Sequence, residues 1–199
     1  MKNQLLGLFS AVLMGLTFAT APAQAQDLEN TLYLDLANGR VVIELRPDLA
    51  PKHVARVKEL TRQGFYDGVK FHRVIPGFMA QTGDPKGDGT GGSGKTLPAE
   101  FSAEPFVRGT VGAARTNDPN SADSQFFITF GDTSHLNRQY TVWGKVVSGM
   151  ELVDGIAKGE PPANPDKIVK MTVAADETSK APVESAAETT ETAPAAAAE

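Results

Sequence analysis

The 199-residue sequence contains no cysteine. That excludes disulfides, thiolate nucleophiles, cysteine-ligated metals and lipid attachment at an N-terminal cysteine. Histidine is almost as scarce: His53, His72 and His135 are the whole complement. Three scattered imidazoles give no metal-ligand spacing, so neither metal nor other cofactor is expected. The apolar run from Leu5 to Phe18 falls short of the roughly 20 residues that span a bilayer. Excess charge is missing too. The net charge is -5, but Lys2 makes residues 1–25 positive by one and six acids against Lys180 put -5 on residues 175–199. Residues 26–174 carry only -1, so nothing electrostatic points to nucleic acid as a partner.

With 41% hydrophobic and 22% charged residues, the composition is that of one well-cored domain. Residues 1–25 read as a secretory signal: a lone Lys2, the apolar run, then Ala23-Gln24-Ala25 as a small-x-small cleavage site. The alternative for this stretch is an uncleaved anchor. A signal places the mature protein in the periplasm, with no stable membrane insertion once it is cleaved. Residues 175–199 are mostly Ala, Glu, Thr, Ser and Pro without an aromatic, too poor in apolar surface to offset ordering, and are expected to be a solvated tail.

Between these ends the signals are mostly those of strands. Thr31 to Leu36 and Arg40 to Leu45 flank Ala37-Asn38-Gly39, a strong hairpin cue. Pro51 suits the first turn of a helix whose apolar stripe is Val54, Val57 and Leu60 and which Gly64 ends. His53 lies on this helix as an exposed or capping imidazole. Ser124 to Phe130, Tyr140 to Val146 and Ile168 to Val173 read as further strands, and Met150 to Ile156 as a short helix. In Ser124 to Phe130, Phe127 shares a face with Gln125 and Thr129, while Phe126, Ile128 and Phe130 share the other. One face is core and the other a candidate pocket wall. Many short strands and only two helical segments predict a mainly β fold, a closed antiparallel barrel capped by two helices, which leaves no open edge.

Residues 77–94 hold seven glycines and set two traps. Gly87 to Gly92 fits the dinucleotide pattern G-x-G-x-x-G, and Gly89 to Thr96 fits the phosphate-loop pattern G-x-x-x-x-G-K-[ST]. Phosphate cradling requires a helix to open at Lys95-Thr96, and Pro98 and Pro105 leave it no room.

The most informative stretch is Phe71 to Asp84, in which large apolar residues alternate with a few strong hydrogen-bonding groups. Val69 to Val74 and Phe78 to Thr82 read as strands with Pro76-Gly77 as the bend. Folded back on each other, they bring a fixed cation, Arg73, and a neutral amide, Gln81, beside the apolar Phe78 and Met79.

This stretch resembles the signature of the cyclophilin family of peptidyl-prolyl cis-trans isomerases, whose strands carry Phe-His-Arg and then Pro-Gly-Phe-Met-x-Gln. Further matches are Gly89-Thr90-Gly91-Gly92, Pro98-Ala99-Glu100-Phe101, Gly112-Ala113-Ala114-Arg115, Ser124-Gln125-Phe126-Phe127-Ile128 and Val142-Trp143-Gly144-Lys145-Val146. The likeness runs from about Thr31 to Val173 and is greatest to the exported bacterial branch. It implies eight strands in the barrel, a monomer, proline-containing polypeptide substrates, and a role in folding exported proteins. Arg73 and Gln81 would be catalytic. Phe78, Met79, Phe127 and Leu136 would hold the proline ring, and Ala114, Arg115, His135 and Tyr140 would line the peptide groove. For Phe127 plain core packing stays open. Arg115 replaces an Asn common in eukaryotic members, His135 a Trp and Tyr140 a His. Only weak cyclosporin binding is expected, because that Trp donates a hydrogen bond to the drug. His72, on the opposite face of its strand from Arg73, reads as a structural, hydrogen-bonded histidine. A non-catalytic module that merely holds proline-containing segments is the alternative of a different class.

Overall fold

The computed structural model describes residues 27–178; the expected signal segment and residues 179–199 of the expected tail lie outside them. Eight strands run in the order β1 (Thr31–Leu36), β2 (Gly39–Leu45), β3 (Arg73–Ile75), β4 (Met79–Thr82), β5 (Thr110–Ala113), β6 (Phe126–Thr129), β7 (Val142–Ser148) and β8 (Lys170–Val173). They form one antiparallel sheet ordered β3-β4-β6-β5-β7-β2-β1-β8. β3 and β8, its two ends, do not pair as strands. The segments just before them do meet: Gly68 N–H donates to the Ile168 carbonyl, Ile168 N–H to Val69, and Phe71 N–H to Asp166.

The β1–β2 hairpin closes with Leu36 opposite Gly39, as the Asn-Gly signal predicts. Helix α1 (Pro51–Arg62) begins at the proline and buries Val54, Val57 and Leu60 against the sheet. No side chain at its start caps it. Instead the Glu100 carboxylate, from far along the chain, accepts from the N–H groups of Lys52 and His53 at 3.1 and 3.0 Å, satisfying two of the donors that a helix start leaves open. The same carboxylate takes a 2.7 Å hydrogen bond from His53 Nδ1. His53 is therefore buried, not exposed, and Glu100 rather than the imidazole does the capping. Burial alone would push the Glu100 carboxyl up, but its hydrogen bonds from the His53 ring and the helix amides hold it below the usual value.

Three helices are present among the described residues, not the two expected. α2 (Met150–Asp154) matches the predicted short helix, and α3 (Ala174–Thr178) follows β8 where the tail was expected to begin. Ala174 is fully buried, and ion pairs from Arg62 to Asp176 at 2.9 Å and from Arg40 to Glu177 at 2.7 Å tie the turn down. Acids in its first turn also suit the positive end of the helix dipole.

No helix opens after Lys95; Leu97 instead bridges to Ala122. The glycine-rich loop is wound on two carboxylates. Asp84, fully buried, accepts from the amides of Lys86, Asp88 and Gly89, and Asp123 accepts from the amides of Ser93 and Gly94.

Because side chains alternate along a strand, the sheet has two apolar faces with different fillings. Val74, Ala80, Val111, Phe126, Ile128 and Trp143 belong to the main core. Met79, Phe127 and Val142, one residue out of step with these, form a separate cluster with Phe106 and Leu136. His72 is buried as expected of a structural residue, but neither ring nitrogen has a hydrogen-bond partner. The expectation of a hydrogen-bonded imidazole is thus corrected: the ring packs near Gly89, and burial lowers its pKa, favouring the neutral form.

Candidate active site

The second cluster is not closed. It leaves a cavity of about 110 Å³ lined by Arg73, Phe78, Met79, Gln81, Ala114, Arg115, Phe127, Leu136 and Tyr140. These are nine of the ten residues expected at the site. The tenth, His135, stands just behind the wall, its ring tilted against Phe78 with centroids 5.4 Å apart.

The slot is assembled by sheet register. Arg73 sits directly opposite Gln81 across β3 and β4, and Gln81 opposite Phe127 across β4 and β6. A tight turn at Pro76-Gly77 makes the first pairing, and the Phe78 amide closes it on the Ile75 carbonyl at 3.1 Å. The apolar end is layered: Phe127 stacks on Phe106 at 5.7 Å and meets Tyr140 edge-on at 5.8 Å. Gly112, paired with Phe127, must be glycine for this layering. A Cβ there would come within 2.6 Å of Phe106 and 2.7 Å of Phe127. The sheet register also slips between Val111 and Gly112, an irregularity of the kind that redirects side chains beside functional sites.

The polar end carries one cation and one amide. Arg73 donates from Nε to Glu160 at 2.8 Å, and its Nη1 lies 3.5 Å from Gln81 Oε1. Gln81 Nε2 donates to Gln125 Oε1 at 2.9 Å, which uses one of its two N–H groups and leaves the other for a ligand. Gln125 is itself held by the carbonyls of Gly89 and Gly91, so the glycine loop sets the orientation of the amide. Arg115 works differently. Its guanidinium donates to the carbonyls of Gln139 and Thr116 and lies 4.4 Å over the Tyr140 ring, so it braces the wall instead of projecting a free charge into the slot.

Sequence reasoning missed Phe106, Gln125 and Glu160. Gln125 lay within a recognised motif and shared a face with Phe127, a signal that was available. Phe106 and Glu160 lie in irregular segments where periodicity gives none.

Three comparisons with known proteins bear on this geometry. Residues 31–173 match the family model described as cyclophilin type peptidyl-prolyl cis-trans isomerase/CLD. Among curated relatives, a Brucella suis protein named "Probable peptidyl-prolyl cis-trans isomerase" is 61% identical over 175 residues, covering 79% of this chain and 89% of its own length. Peptidyl-prolyl cis-trans isomerase B of Bacillus subtilis is 42% identical over 133 residues, covering 65% and 92%. Among solved structures, cyclophilin AquaCyp293 from Hirschia baltica aligns with a TM-score of 0.70 at 30% identity, over 75% of this chain and 76% of that one. A Cryptosporidium parvum cyclophilin crystallised in the presence of the dipeptide Ala-Pro aligns with a TM-score of 0.67 at 28% identity, over 72% and 98%. The chain belongs to the cyclophilin-type peptidyl-prolyl cis-trans isomerases, and peptidyl-prolyl isomerisation is its activity.

Proposed function

We propose that Arg73 and Gln81 carry this isomerisation on X-Pro bonds in unfolded or loop segments of exported proteins, in the periplasm and as a monomer, and so assist their folding. The barrier arises because amide resonance gives the C–N bond partial double-bond character, costing about 18–20 kcal/mol to rotate. No covalent step is needed. At half-rotation the imide nitrogen becomes pyramidal and gains a lone pair, which a donor can stabilise. The proline ring enters the apolar slot of Phe78, Met79, Phe127 and Leu136. The Arg73 guanidinium, permanently charged, meets the lone pair, and the unused N–H of Gln81 holds a substrate carbonyl. Exclusion of water by the apolar wall disfavours the more dipolar planar amide.

The observation that carries this reading is the cross-strand pairing of Arg73 with Gln81 at the mouth of an apolar slot. The Ala-Pro dipeptide present with the Cryptosporidium parvum relative carries an X-Pro unit of the kind proposed here as substrate. Periplasmic export rests on the signal-like residues 1–25. Closure of the sheet into a barrel is supported by the hydrogen bonds between residues 68–71 and 166–168. Weak cyclosporin binding rests on His135 occupying the sequence position where many eukaryotic cyclophilins carry the Trp that donates a hydrogen bond to the drug. Ala114, Arg115 and Tyr140 would guide the residues flanking proline.

The test is an NMR exchange or protease-coupled assay on an Ala-Pro peptide. Arg73→Ala should keep its fold and melting temperature yet lose roughly 10²-fold or more in kcat/KM, the scale for removing a transition-state donor. Full activity in that variant removes Arg73 from the mechanism. Cell fractionation with N-terminal sequencing checks the compartment.

A further inference from the structure

We infer that Glu160 is a positioning residue for isomerisation, aiming the Arg73 guanidinium at the slot; the inference rests on the role proposed above for Arg73. An arginine on a strand has a long flexible stem, and losing that freedom during each turnover would slow the reaction. Arg73 is 40% exposed at its side chain, and its contact with Gln81, at 3.5 Å, is at the limit of a hydrogen bond. Neither burial nor Gln81 is enough to fix its direction.

Glu160 supplies what is missing. Its Oε2 accepts from Nε at 2.8 Å, the one guanidinium nitrogen nearest the stem, so Nη1 stays turned to Gln81. Nη2 has no partner among the described residues. The residue before Glu160 is held by backbone. Val74 N–H donates to the Gly159 carbonyl at 2.8 Å and Gly159 N–H to the Val74 carbonyl at 2.9 Å, so residue 159 is bridged to the neighbour of Arg73 on β3, and Glu160 emerges beside the guanidinium. Gly159 allows this approach: its φ is +148°, and a Cβ would come within 2.6 Å of Pro162. The pair is too exposed, at 40% and 51% of its side chains, to matter much for stability. Its consequence is directional.

The peptide assay on four proteins tests this: Glu160→Ala, Glu160→Gln, Arg73→Ala and the double variant Glu160→Ala/Arg73→Ala. Glu160→Ala should melt as wild type yet lose about three- to tenfold in kcat/KM, less than the ~10²-fold that a misplaced reacting group can cost. The loss should fall on kcat, with peptide Kd from chemical-shift titration changing less than about twofold, because the aim of the donor matters most at half-rotation. Glu160→Gln, whose amide oxygen still accepts from Nε, should recover to within about twofold of wild type. In the Arg73→Ala background Glu160→Ala should cost nothing further, since residues acting through one another are not additive. Wild-type or faster turnover in Glu160→Ala, or the same loss with and without Arg73, overturns the inference alone. Full activity in Arg73→Ala overturns the reading beneath it as well.

Discussion

Phe126 and Phe127 are adjacent on β6, both buried, both packed against other rings, and they do opposite things. Phe126 points inward and meets Trp143 and Tyr66 edge-on at 5.3 and 5.6 Å, in a core where every side is filled. Phe127 points outward, stacks on Phe106 and leaves one side facing a cavity. Burial alone does not separate a core residue from a pocket wall, and composition does not either. The difference is whether the neighbours complete the shell. One face of the β4–β6 pair holds the molecule together; the other is packed just well enough to hold a vacancy in place.

The largest effect expected from this division is Phe126→Ala, which should cost about 3–5 kcal/mol in urea unfolding while kcat/KM per folded molecule stays within about twofold of wild type; a large activity loss at full folding would erase the distinction. Next comes Gly112→Ala. The new methyl must displace Phe106 or Phe127, so overpacking should cost about 1–3 kcal/mol and the displaced ring should narrow the slot, lowering kcat/KM roughly tenfold. Unlike Phe126→Ala, it should harm both properties, and unchanged activity would show that Phe127 is core alone. Glu100→Ala probes a carboxylate that caps α1 and does not line the slot: loss of the cap and of the His53 partner should cost about 1–2 kcal/mol with isomerisation unchanged.

The smallest effect is on pH dependence. His72 titrates below its ordinary value of 6.5 in the folded state, so the unfolded chain binds more protons, and the stability this contributes is present above about 6.5 and lost as pH falls towards the folded value. Asp84 and Glu100, both lowered from 3.8 and 4.5, act in the same direction at lower pH. Melting temperature should therefore fall in two stages on acidification, and His72→Asn should remove only the upper one. A melting temperature flat from pH 7 to the carboxylate range would contradict the burial of a neutral His72.

What the sequence made legible was local. The Asn-Gly hairpin, Pro51 at the start of α1, and Arg73 facing Gln81 across the Pro76-Gly77 turn all follow from residues within a dozen positions of one another. The alternation on β6 separated Phe127 from Phe126 before any contact was known. What stayed hidden came from distant chain segments meeting. Glu160 reaches Arg73 across 87 residues, and Glu100 reaches His53 across 47. The imidazole at 53 looked exposed because nothing nearby could satisfy it. The α3 residues read as tail because the turn is short and its anchors, Arg40 and Arg62, lie on β2 and α1.

The glycine loop explains its own deceptive spelling. Amide hydrogens that in a nucleotide site would converge on an outside phosphate here converge on Asp84 and Asp123. The nest is real but already occupied by the chain's own anions. A stretch lacking helix or strand is thereby kept in one shape, and the amide of Gln81, two links away through Gln125, inherits its aim from a pair of captive carboxylates.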